Sequence, residues 1–232
     1  MTASKELIGI VDDDQSIRRG LRRLFKLANY AAETFASAED YLAREIFDGP
    51  TCLVVDVRMP GLNGLGLQET LRSRAGCEQI VFITGHSDVA TCTQAMKKGA
   101  VDFLLKPFDG DELIEAVARA LARAKECLHK RAERREARGR IDTLTPREFE
   151  VLRFVLIGML NKQIAAELET AEKTVKVHRG RVMQKLGMTS VADLVRFSQS
   201  AGVTLPEVRH ATKVQYTSRA ADARLQSLDT LH

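Results

Sequence analysis

The chain has 232 residues and a mass of 25.8 kDa, room for one or two domains. Its composition, 44% hydrophobic and 28% charged, suits a soluble protein with a real core. No apolar run reaches the roughly 18–20 residues that span a bilayer, and Met1–Leu7 lacks the apolar stretch of a secretory signal.

The formal net charge of +4 is unevenly spread. Residues 1–121 carry 14 Lys+Arg and 18 Asp+Glu, whereas residues 122–232 carry 21 and 13. An acidic half joined to a basic half indicates two jobs, the second facing a polyanion. The four cysteines, Cys52, Cys77, Cys92 and Cys127, include no C-x-x-C pair. That spacing indicates neither a disulfide framework nor a zinc cage, so free thiols in a reducing cytoplasm are expected.

In the acidic half, short apolar runs alternate with segments of helical periodicity. Strands are expected at Leu7–Val11, Ala31–Phe35, Cys52–Asp56, Ile80–Thr84 and Asp102–Leu105. Helices are expected at Ser16–Asn29, Ala38–Glu45, Leu65–Arg74, Asp88–Lys98 and from about Asp111 onward. This alternation predicts a parallel sheet covered on both faces, with its ligand site outside the carboxyl ends of the strands. Those ends carry Asp12-Asp13-Asp14, Asp56, Thr84-Gly85 and Lys106-Pro107. Crowded carboxylates need a cation, and hard oxygen donors favour Mg²⁺. A carboxylate can also attack phosphorus, while a lysine and a hydroxyl steady the phosphoryl oxygens.

The motifs VDDD (11–14), DVRMPGLNG (56–64), ITGH (83–86) and FLLKPF (103–108) resemble the receiver domain of two-component response regulators. The resemblance implies a doubly wound, five-stranded α/β fold of the flavodoxin/CheY-like kind over residues 1–125. It implies that Asp56 is the phosphoacceptor. Mg²⁺ would be held by Asp12, Asp13, Asp56 and the backbone carbonyl of Arg58. Thr84 would be the switch hydroxyl, Lys106 the phosphate-binding cation and Phe103 the rotating aromatic. The Lys106–Pro107 bond would be cis. Asp14 falls outside the matched pair and reads as a helix-start acid. His86 reads as an exposed loop residue that could tune the site. A Mg²⁺-dependent phosphatase built on Asp56 is the enzymatic rival. Such an enzyme needs a second Asp nearby as general acid, yet position 58 is Arg.

Residues 126–142 read as a helical linker, the fifth helix running on to about Arg138 with Gly139 as its stop. The basic half then opens with Thr145-Pro146-Arg147-Glu148, a capping box with Pro at the first helical position. Phe149, Leu152, Val155 and Leu156 follow on one face, up to Gly158. Asn161 is expected to cap a second helix through Leu168, and a tight connection leads to a third at Glu172–Leu186, stopped by Gly187. Ser190 caps a fourth at Val191–Gln199. Four short helices with a tight turn before a basic third one predict a helix-turn-helix. The third helix carries Lys173, Thr174, Lys176, His178, Arg179, Arg181 and Lys185, above a buried stripe of Val175, Val182 and Leu186.

The stretches LTPREFEVL (144–152), NKQIAAEL (161–168) and KTVKVHRGRVMQKLG (173–187) resemble the LuxR-type DNA-binding domain. Joined to a receiver, this is the arrangement of NarL/FixJ-class response regulators, and the wording is closest to FixJ-like members. The resemblance places the all-α DNA-binding domain at residues 143–200. Lys176 and Val177 would face base edges, with Gly180 at a third such position that lacks a side chain. Lys173, Thr174, Arg179 and Arg181 would contact phosphates. The last helix, around Val191, Leu194 and Val195, would form a dimer contact. Residues 201–232 match neither module and are expected to be disordered.

The resulting expectation is a cytoplasmic response regulator without membrane attachment and without enzymatic activity beyond slow self-dephosphorylation. Its partners would be a sensor histidine kinase, double-stranded promoter DNA, RNA polymerase and, once phosphorylated, a second copy of itself.

Overall fold

The computed structural model describes residues 6–45, 47–85 and 89–203. The expectations for His86 and for most of the tail fall outside these residues. The chain divides into two compact units, Met1–Glu136 and Ala137–His232.

The first unit is a five-stranded parallel sheet in the order β2-β1-β3-β4-β5. Its strands are β1 (Leu7–Val11), β2 (Ala31–Phe35), β3 (Thr51–Asp56), β4 (Gln79–Thr84) and β5 (Asp102–Leu105), interleaved with α1 (Gln15–Leu27), α2 (Ala38–Ala43), α3 (Gly64–Ser73), α4 (Val89–Lys97) and α5 (Gly110–Ile141). The central strands β1 and β3 are buried along their whole length and mostly apolar because both faces are covered. Alternation along each strand sorts side chains onto two cores. Ile8, Ile10, Cys52, Val54, Val81 and Ile83 pack with Leu21 and Phe25 of α1 and with Leu113, Ala116, Val117 and Ala120 of α5. Leu53, Val55, Ile80 and Phe82 pack on the other face with Tyr41, Leu67, Leu71 and Ala95.

Asp14 caps α1 by accepting a hydrogen bond from the Ser16 amide at 2.7 Å, the helix-start role its position suggested. The Lys106–Pro107 bond is cis. The chain passes from β1 outward to β2 and then crosses back to β3 on the other side of β1, so the sheet's switch point lies between β1 and β3.

Two expectations for this unit need correction. First, α5 does not stop at Gly139. It continues to Ile141, because Ala137 and Ile141 are buried in the second unit's core and that packing outweighs one glycine's propensity cost. Second, the cysteines are not all free thiols. Cys77 and Cys127 form a disulfide, with Cα atoms 5.6 Å apart across 50 residues of sequence, while Cys52 and Cys92 are free. Sequence spacing does not reveal that the loop before β4 lies against α5.

In the second unit, α6 (Pro146–Leu156), α7 (Asn161–Glu167), α8 (Glu172–Leu186) and α9 (Val191–Ser200) enclose one core. The capping box of α6 forms as expected: Thr145 Oγ1 accepts from the Glu148 amide, and Glu148 Oε2 accepts from the Thr145 amide at 2.9 Å. Val151, Leu152 and Val155 are its buried apolar residues, whereas Phe149 and Leu156 lie at the margin. Gly187 ends α8 with φ of +68°, a conformation that costs a residue bearing Cβ. Ser190 caps α9. Asn161 does not cap α7. Leu160 occupies that position, and the Gln163 side chain reaches back to its amide at 2.8 Å. Among the described residues, no helix is long and apolar enough to cross a membrane.

Candidate phosphoacceptor cluster and nucleic-acid helix

The strand ends of the first unit bring the anticipated residues together. Asp12 follows β1 and Asp56 ends β3, on the two sides of the switch point; both are buried. Lys106, just past β5, places its Nζ between them, 2.8 Å from Asp12 Oδ2 and 2.7 Å from Asp56 Oδ1. The remaining carboxylate oxygens are held by the backbone: Asp12 Oδ1 accepts from the Asp14 amide at 2.8 Å, and Asp56 Oδ2 from the Arg58 amide at 2.7 Å.

Burial raises the pKa of Asp12 above the usual carboxylate range, against the opposing pull of Lys106. Burial would lower the pKa of Lys106, but its bonds to Asp12 and Asp56 outweigh it and hold the ammonium charged. Ion pairing is strong here because water is largely excluded.

Thr84 is buried at the end of β4, where its carbonyl accepts from the Lys106 amide at 2.7 Å. Phe103 is half-buried on β5, its ring 6.3 Å from that of Phe82. Asp13 is exposed beside Asp12. Gly64 opens α3 where a Cβ would stand 2.5 Å from the Asp56 carbonyl oxygen, so the close approach of α3 to the cluster requires glycine.

No three His, Cys, Asp or Glu side chains form a ready-made metal cage among the described residues. The donors present are all hard oxygens, and Mg²⁺ takes only one or two carboxylates while keeping several waters. Two carboxylates drawn from Asp12, Asp13 and Asp56, with the Arg58 carbonyl, fit that preference. Sequence reading missed Arg18, whose Nη1 donates to the Asp12 carbonyl at 2.6 Å and ties α1 to the cluster. Its place one turn into α1 was the available signal.

In the second unit, α7 and α8 form the helix-turn-helix, and Val175, Val182 and Leu186 are buried as the stripe predicted. Lys173, Thr174, Lys176, Val177, Gly180 and Arg181 are exposed on α8. Val177, 47% exposed, sets an apolar side chain among the basic ones of this face. A Cβ at Gly180 would meet open space, so its lack of a side chain leaves a gap on this face.

Four residues differ from the sequence reading. Arg179 is only half-exposed and donates to Asn161 Oδ1 at 3.1 Å, joining α8 to α7. Lys185 does not extend the basic face; its Nζ binds Glu148 Oε2 at 2.6 Å and the Thr143 carbonyl at 3.2 Å. That bond, with the Thr145 amide, holds the buried Glu148 carboxyl down at about pKa 2. Leu194 is fully buried in the unit's own core, so of the proposed dimer trio only Val191 and Val195 reach the surface. His178 buries its Nδ1 without a hydrogen-bond partner, which helical periodicity alone gave no means of anticipating.

Comparison with known proteins matches residues 8–118 to the response regulator receiver domain and residues 142–198 to the bacterial regulatory proteins of the luxR family. Nodulation protein W of Bradyrhizobium diazoefficiens is 43% identical over 204 residues, covering 87% of this chain and 89% of its own. Response regulator protein TodT of Pseudomonas putida is 39% identical over 199 residues, covering 86% and 88%. The solved structure of response regulator StyR is similar at a TM-score of 0.70 and 42% identity, covering 84% of this chain and 98% of that one.

Proposed function

Because the chain belongs to the response regulators that join a receiver domain to a LuxR-family DNA-binding domain, we propose that it is a transcription activator controlled by phosphorylation of Asp56. The convergence of Asp12, Asp56 and Lys106 within hydrogen-bond reach carries this reading.

A sensor histidine kinase supplies the phosphoryl group. An Asp56 carboxylate oxygen forms the bond to phosphorus as the bond from phosphorus to the kinase's histidine nitrogen breaks, and the imidazole leaves with the electron pair. Asp12, Asp13, Asp56 and the Arg58 carbonyl would hold Mg²⁺, which when bound offsets the charge gathered by the carboxylates and the phosphoryl oxygens. Lys106 exchanges its bond to Asp56 for one to the phosphoryl group. The Thr84 hydroxyl donates to the same group, and Phe103 turns inward behind it. The face formed by α4 and β5 then pairs two copies of the chain. The acyl phosphate hydrolyses slowly, so the protein is a switch rather than a metabolic enzyme.

In the second unit, Lys176 and Val177 read base edges in the major groove. Lys173, Thr174 and Arg181 bind phosphates, and Arg179 shares that task with its bond to Asn161. Two paired domains occupy an inverted half-site pair and engage RNA polymerase from the promoter.

The test is phosphotransfer from acetyl phosphate or a kinase in Mg²⁺, scored as base-labile label together with binding to promoter DNA. The wild type takes one label per chain and gains DNA affinity. Equal labelling of Asp56→Asn overturns the assignment.

A further inference from the structure

We propose that Cys77 and Cys127 are a reversible thiol–disulfide pair, a redox modification site that sets how firmly the middle of α5 is held to the first unit. Both cysteines lie in that unit. Cys77 sits in the loop between α3 and β4, with its carbonyl accepting from Gln79 Nε2 at 3.2 Å. Cys127 lies on α5 one turn past Ala124, which ends the run of positions buried within the first unit, Leu113, Ala116, Val117, Ala120, Leu121 and Ala124.

The bond falls where apolar attachment runs out. Leu128 is half-buried, and residues 129–136 are all exposed. The nearest polar tie is the ion pair of Lys125 with Glu6, and its lysine is 56% exposed. Exposed pairs of this kind hold little. The covalent link is therefore the main restraint on this turn.

The site is reachable. Cys77 and Leu128 line a cavity of about 240 Å³ whose wall also bears Arg44, Arg74 and Arg131, with Glu78 and Asp48. The arginines favour a thiolate and an anionic reagent, and the two acids temper them. Cys52 is the contrasting case: it is fully buried in β3, and burial drives its thiol far above the ordinary range, leaving it inert.

A low-molecular-weight disulfide such as oxidised glutathione is the oxidant. The Cys77 thiolate, on the cavity wall, attacks one of its sulfurs and expels a thiolate. Cys127, having lost its proton, then attacks Cys77 Sγ and expels the second. The protein loses two electrons and two protons, and the reagent becomes two thiols.

The full-length protein is equilibrated in glutathione buffers from fully reduced to fully oxidised, acid-quenched, unfolded and alkylated. We expect four alkylated cysteines in the reduced buffer and two in the oxidised one, Cys52 and Cys92, with full return on re-reduction of the native protein. Amide exchange over residues 125–131 should be about tenfold slower in the oxidised form. Cys127→Ser and Cys77→Ser should each lose that redox-dependent difference, so either variant suffices if the other folds poorly. Four alkylated cysteines in every buffer, pairing through Cys52 or Cys92, a bond reduced only after unfolding, or exchange indifferent to redox state would each overturn the proposal. None of these readouts involves Asp56, so the result stands apart from the phosphotransfer reading.

Discussion

Removing the Glu148 carboxylate tests how α8 is anchored. Glu148 is 2% exposed and bonds two elements at once, the Thr145 amide at the start of α6 and Lys185 Nζ on the last turn of α8. Its pKa is about 2 in the folded protein against 4.5 for the free side chain. A depressed carboxylate pKa means that the folded state binds protons less readily than the unfolded one. The stabilisation is therefore complete above pH 4.5 and is lost as the pH falls toward 2. Taken whole, the shift corresponds to about 3 kcal/mol. Lys185 is 36% exposed, so water screens the pair; a realistic contribution is about 1–2 kcal/mol.

Glu148→Gln retains an acceptor for the Thr145 amide but not the charge, and should cost about that amount at pH 7. Glu148→Ala also gives up the helix cap, which adds about 1 kcal/mol. The assay is amide exchange over residues 145–156 and 180–186 in the full-length protein, corrected for intrinsic rates, at pH 7 and at pH 3. The gap between wild type and Glu148→Gln should narrow at the lower pH. A gap that is absent at pH 7, or that is the same at both, would refute the argument.

Other expectations follow from the same geometry. Gly64→Ala drives a Cβ to 2.5 Å from the Asp56 carbonyl oxygen, which cannot yield as a flexible side chain would; urea denaturation should register a loss of about 1–3 kcal/mol. Lys106→Met leaves the Asp12 and Asp56 carboxylates facing each other uncompensated. It should destabilise the first unit by about 3 kcal/mol, more at pH 7 than at pH 5, with part of the loss recovered on adding Mg²⁺. Should Mg²⁺ leave its melting temperature unmoved, the cation-binding reading of this cluster fails. Lys176→Ala should reduce discrimination between operator and random DNA by about 1–3 kcal/mol, measured by competition binding. Arg179→Ala should instead weaken both and lower the salt slope by about 1, while exchange in α7 quickens through loss of the Asn161 bond. Unchanged exchange in α7 would return Arg179 to a purely phosphate-contacting role.

The sequence by itself determined the element order, because burial on both sheet faces demands continuous apolar strands while surface helices demand a 3.6-residue period. It also determined the caps at Asp14, Thr145 and Ser190, since a cap is satisfied within three residues of itself. The cluster of Asp12, Asp56 and Lys106 was legible because strand ends converge once the sheet is parallel and doubly wound. Only the tertiary structure decided which polar groups bind each other over long separations. Arg179 turns to Asn161, Lys185 to Glu148 and Cys77 to Cys127 through contacts separated by 18, 37 and 50 residues. Local periodicity cannot report such pairings. The same limit explains Gly139, kept helical by Ala137 and Ile141 packing into the second unit, and Leu194, drawn from a surface role into the core. Periodicity says which face of a helix is apolar, and only the assembled fold says what that face meets.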